Sequence, residues 1–184
     1  MIKRTNIDFT NFSLTINECE YLTYVLKNDV GSIIKFITDD SHLYVVGDYG
    51  NWIFNRNFIP VNGGSVLDYY WVRLLRERST QNPFIFSKHK TCITIDAMIV
   101  NIEVNYPNDS QKKIDLIKYF KNSKEYVDNE QEYLWFVSEH KPNWYLNDII
   151  VEYDYMYDIL VVFDAFEEIC RTLPKNNNLL FDEY

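Results

Sequence analysis

Ser32-Ile-Ile-Lys-Phe-Ile-Thr38, His42-Leu-Tyr-Val-Val46 and Trp52-Ile-Phe-Asn-Arg-Asn-Phe58 are short runs rich in β-branched and aromatic residues. Asp39-Asp40-Ser41 and Gly47-Asp48-Tyr49-Gly50 separate them, and both separators carry residues that favour tight turns. Strands this close in sequence pair most simply as antiparallel hairpins. Two further runs, Phe12–Ile16 and Tyr21–Lys27, precede them across a short polar connection. The N-terminal third therefore predicts an antiparallel β-meander, ended by Asn62-Gly63-Gly64.

Beyond the meander the apolar period changes from 2 to 3.6. A helix is expected over residues 65–78, with Ser65 as N-cap and Asp68 three residues on. Leu67, Tyr70, Trp71, Leu74 and Leu75 share one face of it, with Arg73 and Arg76 on another. Residues 92–104 carry the β-branched content of a strand, yet Ile95, Met98, Ile99 and Ile102 fit a helix face, and helix is the expectation taken. Tyr106-Pro107-Asn108-Asp109-Ser110 marks a boundary between lobes. Two helices, about 111–121 and 129–139, follow it. The clearest helix runs from about Tyr153 to Leu173, with Tyr155, Met156, Ile159, Val162, Phe163, Phe166, Ile169 and Cys170 in one arc. Asp154, Asp158, Asp164 and Glu168 fall in the opposite arc, with Glu167 at its edge. The expected fold class is α+β. A β-rich lobe with one helix (1–106) is followed by a mainly helical, acidic lobe (107–184).

Charge separates the same two regions. The chain has 184 residues and a formal charge of −9. Residues 1–125 hold 14 acidic and 15 basic side chains, whereas residues 126–184 hold 13 acids against Lys141, Arg171 and Lys175. A negative lobe rich in Tyr, Trp and Phe repels nucleic acid and attracts basic clefts. Direct binding of nucleic acid is not expected, and neither is a membrane role, because no uncharged apolar run approaches a span.

The residues that could carry chemistry are sparse. His89 and Cys92 form a lone H-x-x-C with no second ligand pair, so no metal is expected. Cys19, Cys92 and Cys170 are widely spaced, which suits a reducing compartment. Cys92 and Cys170 sit within apolar faces and read as buried thiols rather than nucleophiles. Glu152, Asp154 and Asp158 lack the nearby Lys or Arg of a metal-dependent nuclease. Gly47-x-x-Gly50 matches neither phosphate-loop spacing. No catalytic residue, cofactor or enzymatic activity is expected.

Val45-Val46-Gly47-Asp48-Tyr49-Gly50-Asn51-Trp52-Ile53-Phe54, followed by Arg56, Phe58, Pro60, Tyr70-Trp71 and Ser79-x-Gln81, resembles a group of small phage-encoded proteins. That group shares a G-D-[aromatic]-G-N-W hairpin, an F-x-P exit and a helix bearing Tyr-Trp. Such proteins belong with phage and mobile-element accessory genes, including anti-CRISPR inhibitors. The scarcity of Ala and abundance of Asn, Ile, Lys and Tyr agree with an AT-rich genome or its phages. The likeness covers residues 42–90 only. It implies an inhibitor of a bacterial defence nuclease, such as the CRISPR effector Cas9, working in the cytoplasm of the bacterial host. The mechanism expected is occupation of a basic nucleic-acid channel by an acidic, aromatic face. That face would comprise Asp154, Asp158, Asp164, Glu167 and Glu168 with Tyr153, Tyr157 and Trp144, and the hairpin residues Tyr49 and Trp52 stand next in line. The alternative is an immunity protein or antitoxin that neutralises a basic nuclease toxin.

Overall fold

The computed structural model describes residues 4–18, 21–75, 81–106, 110–145, 147 and 150–173. The fold is α+β, and the described residues form two compact units. One comprises those up to Pro83 together with those from Tyr155 onward; the other is Phe84–Asp154.

In the first unit, β1 (Phe12–Glu18), β2 (Leu22–Asn28), β3 (Ile33–Thr38), β4 (Leu43–Gly47) and β5 (Trp52–Phe54) form the expected meander in the order β1-β2-β3-β4-β5. Every pairing is antiparallel, with Tyr24 opposite Phe36, Phe36 opposite Val45, and Val45 opposite Trp52. Because strand side chains alternate, that register sends Tyr24, Leu26, Ile34, Phe36, Leu43, Val45, Trp52 and Phe54 to one face, where all are buried. The last strand is shorter than the run 52–58 expected, as the chain turns away after Phe54.

The turn motif of the hairpin is structural. Gly47 and Gly50 have φ of 144° and 94°. A Cβ at Gly47 would lie 2.1 Å from the Ile33 carbonyl oxygen, and one at Gly50 would lie 2.3 Å from Oε1 of Gln81. Only glycine meets both demands. The same close approach explains why Gln81 travels with the hairpin in the sequence pattern.

Helix α1 (Asp68–Arg73) is shorter than the 65–78 expected, and its N-cap is Leu67, which makes no side-chain cap. Trp71, Leu74 and Leu75 pack on the core as their spacing predicts, whereas Leu67 and Tyr70 are exposed. Arg76 and Arg78 lie outside the described residues. The buried sheet face is closed by α5 (Tyr157–Thr172). Phe166 is the hub, with ring centroids 4.5 Å from Phe58, 4.8 Å from Trp71 and 5.0 Å from Phe36.

Tyr24 lies in this core fully buried, and its hydroxyl has no hydrogen-bond partner. Burial pushes its pKa from 10.0 up to about 12. Between those values the unfolded chain releases the phenolic proton while the native state keeps it, so stability falls as pH rises. Tyr24→Phe removes an unsatisfied buried hydroxyl and is expected to stabilise the protein by about 1 kcal/mol. It should also flatten the loss of stability on the alkaline side. Urea titrations at neutral pH and above pH 10 read both effects, and a destabilised Tyr24→Phe would contradict the hydroxyl's lack of a partner.

The second unit is helical. It contains α2 (Lys88–Asn105), α3 (Gln111–Ser123) and α4 (Glu130–His140), with a 3-10 turn over Lys124–Tyr126. Residues 92–104 are therefore helix. Ser87, Ser110 and Asn129 cap the three helices, each accepting from backbone N–H groups of the first turn. Their core is Ile95, Ile99 and Ile102 from α2, Leu116, Tyr119 and Phe120 from α3, and Tyr133, Phe136 and Val137 from α4. Strands β6 (Phe84–Phe86) and β7 (Tyr153–Tyr155) pair where the chain enters and leaves this unit.

This division differs from the lobes expected at 1–106 and 107–184. The segment around 107–109 lies outside the described residues, but α2 packs with α3 and α4, while α5 returns to complete the sheet's core. Among the described residues no helix is long and apolar enough to cross a membrane.

Candidate functional site

The carboxylates of α5 were expected along a solvated stripe. Asp164, Glu167 and Glu168 are instead buried, at 6%, 5% and 7% exposure. The N-terminal segment lies against them. Asp164 Oδ2 accepts from the Thr5 amide at 2.8 Å and from Thr5 Oγ1 at 2.6 Å. Its Oδ1 accepts from the Arg4 amide at 3.0 Å and from Arg4 Nη1 at 3.3 Å. Arg4 also reaches Asp68 Oδ1 at 2.6 Å, Glu167 Oε1 at 3.1 Å and the Val66 carbonyl at 2.8 Å. Burial opposes the Arg4 charge, but the hydrogen bond from Glu167 and the attraction of Asp68 and Glu167 outweigh it and raise the pKa. Glu168 is clasped by Arg171 and Thr172 of its own helix. These acids hold the fold, and a periodic pattern cannot distinguish water from a cation supplied by a distant segment.

The other expected contact residues are scattered. Asp154 belongs to the second unit, 2.5 Å from Lys90 Nζ, and that lysine, with Ser87, holds its carboxyl below the usual range. Tyr153, also there, donates to Glu130 at 2.8 Å. Trp144 is exposed, but Lys112 Nζ stands 5.3 Å from its ring centroid. Trp52 is a core residue, wholly buried, whose Nε1–H donates to the Tyr49 carbonyl at 2.7 Å. Tyr49, Tyr157 and Asp158 do gather in the first unit. Burial first, then the neighbouring Tyr157, Asp48 and Asp158, raise the Tyr49 pKa, and the exposed Tyr157 donates to Asn6 at 2.8 Å.

Burial raises the pKa of the Cys170 thiol, so this sulfur is a poor nucleophile. Cys92 is half-buried against the second core, and Cys19 lies outside the described residues.

An acidic aromatic face exists elsewhere, on α4. Asn129 caps the helix through the Gln131 and Glu132 amides at 2.9 and 3.2 Å. Tyr133, Phe136 and Val137 take the buried arc, which leaves Glu132, Trp135 and Glu139 at i, i+3 and i+7 on the exposed side. Trp135 is 54% exposed, propped edge-on by Tyr126 at 6.3 Å and His140 at 5.6 Å. Glu125 is exposed on the preceding turn. Among the described residues Glu125, Glu132 and Glu139 form no ion pair, in contrast to Asp128, which meets Lys88. The arrangement supplies an apolar anchor within an uncompensated negative field. A signal for it was present: Glu125, Asp128, Glu130, Glu132 and Glu139 fall between Lys124 and Lys141 with no Lys or Arg among them.

No protein-family model, no curated protein and no solved structure matches the chain.

Proposed function

We propose that the protein is a non-enzymatic inhibitor that docks on a basic, nucleic-acid-binding protein of a bacterial host, a defence nuclease such as a CRISPR effector. Trp135 within the unpaired carboxylates Glu125, Glu132 and Glu139 is the observation that carries this reading. An exposed tryptophan is an efficient anchor for a partner pocket. Unpaired carboxylates around it steer the approach to a positive surface and discriminate against neutral ones. The phage setting rests on the resemblance at residues 42–90, whose glycines and tryptophan serve the hairpin itself.

The test is capture of purified Cas effectors, with and without guide RNA, alongside purified basic nuclease toxins. The complex is expected to weaken as salt rises, since its attraction is screened. Trp135→Ala is expected to weaken it by at least about 30-fold, an anchor's loss of 2 kcal/mol or more. Glu132→Lys with Glu139→Lys should slow association while leaving thermal stability within about 0.5 kcal/mol of the parent. Binding to a toxin alone would assign the protein to immunity. No complex with either class, at low or physiological salt, overturns the proposal.

A further inference from the structure

Helix α2 is apolar on two opposite sides. Thr91, Ile95, Ile99 and Ile102 face the core of the second unit. Ile93, Ala97, Val100 and Val104 follow a 4-3-4 spacing on the other side, and Ile93, Val100 and Val104 are 54%, 58% and 75% exposed. At 100° per residue these four lie within a narrow arc, the seam geometry with which one helix receives another. Isolated exposed aliphatics are ordinary on a surface, but four in heptad register along one helix form a continuous strip.

The charges beside the strip identify what it fits. Asp96 and Glu103 lie along one edge. Lys124 Nζ contacts both carboxylate oxygens of Asp96 at 2.8 Å, and Lys113 Nζ donates to the Glu103 carbonyl oxygen at 2.7 Å. Each end of this edge thus has one acid and one lysine. In an antiparallel pair of identical helices an edge faces its own copy in reverse. Asp96 with Lys124 then meets Glu103 with Lys113, and each acid gains the other copy's lysine. A parallel pair would set the same edge against Lys90, Thr94 and Asn101 and gain no acid–lysine match.

We propose that the protein self-associates as a two-fold dimer through α2, its Ile93-Ala97-Val100-Val104 strip packed antiparallel against that of a second copy. The strip is short and its side chains are small, so the dimer belongs to the weak, concentration-dependent class. This surface is distinct from the Trp135 face, and the inference does not rest on the proposed inhibitory function.

Sedimentation velocity of the full chain, from nanomolar to high micromolar concentration, tests it. The parent is expected to shift from monomer to dimer. Val100→Glu places a carboxylate in the seam and should weaken dimerisation by at least ~10-fold. Val100 is exposed, so the variant should retain the parent's circular dichroism and melting temperature. Glu103→Lys sets lysine against Lys124 of the other copy and should weaken the dimer by about 2–5-fold, an effect that fades at high salt. A monomer at every concentration, or a dimer that Val100→Glu leaves unchanged, overturns the proposal. A dimer indifferent to Glu103→Lys overturns the antiparallel arrangement.

Discussion

Asp164→Lys is expected to unfold the first unit. The side chain is 6% exposed and its two oxygens accept from the amides of Arg4 and Thr5, from the Thr5 hydroxyl and from the Arg4 guanidinium. Removing one member of a buried ion pair costs about 3–5 kcal/mol, because the partner stays buried without its counter-charge. Lysine adds a second cation beside Arg4 in a site with little water, so the loss should exceed that range. The total stability of such a domain is about 5–15 kcal/mol. Chemical denaturation should show a strongly reduced midpoint, or no folded baseline at all. Asp158→Lys, at a half-buried position on the first turn of α5, is the control and should change stability far less. Should Asp164→Lys melt with the parent, the clamp between the N-terminal segment and α5 does not hold the fold. If it unfolds, any accompanying loss of partner binding says nothing about the contact surface.

Trp52→Ala is expected to produce the second-largest loss, about 3–5 kcal/mol from the cavity left by a wholly buried indole. The Tyr49 carbonyl also loses the Nε1–H that closes the hairpin, which adds about 1 kcal/mol. Trp52→Phe keeps most of the ring volume without the donor, so it separates the packing loss from the hydrogen bond. Thermal melts of both variants against the parent check the order. A Trp52→Ala protein as stable as the parent would mean that the indole is not packed in the core.

Much of the architecture was legible because its causes are local. Strands β1–β5 follow from alternating apolar residues between turn-forming clusters, and their pairing follows from the short connections. The helices over 88–105, 111–123 and 130–140 follow from a 3.6-residue period. The hairpin's glycines could be assigned to a turn from their type alone. The candidate site was legible only in part. The dense acid between Lys124 and Lys141 is visible in the sequence, but the rival acids of α5 share the same apparent regularity. Which set faces water depends on what else packs there.

By itself the sequence determined the α+β class, the order of the elements and the buried arc of each well-patterned helix, since these depend on residues a few positions apart. Tertiary structure alone decided that α5 belongs with the N-terminal sheet. It also decided that Arg4, 160 residues away from Asp164, neutralises acids that a helical wheel would place in solvent. Likewise it set Trp52 in the core and Trp135 at the surface, although both stand among aromatic neighbours in the chain. The physical reason is common to these cases. Burial and charge compensation are properties of contacts between distant segments, and a local pattern constrains the direction of a side chain without specifying what meets it.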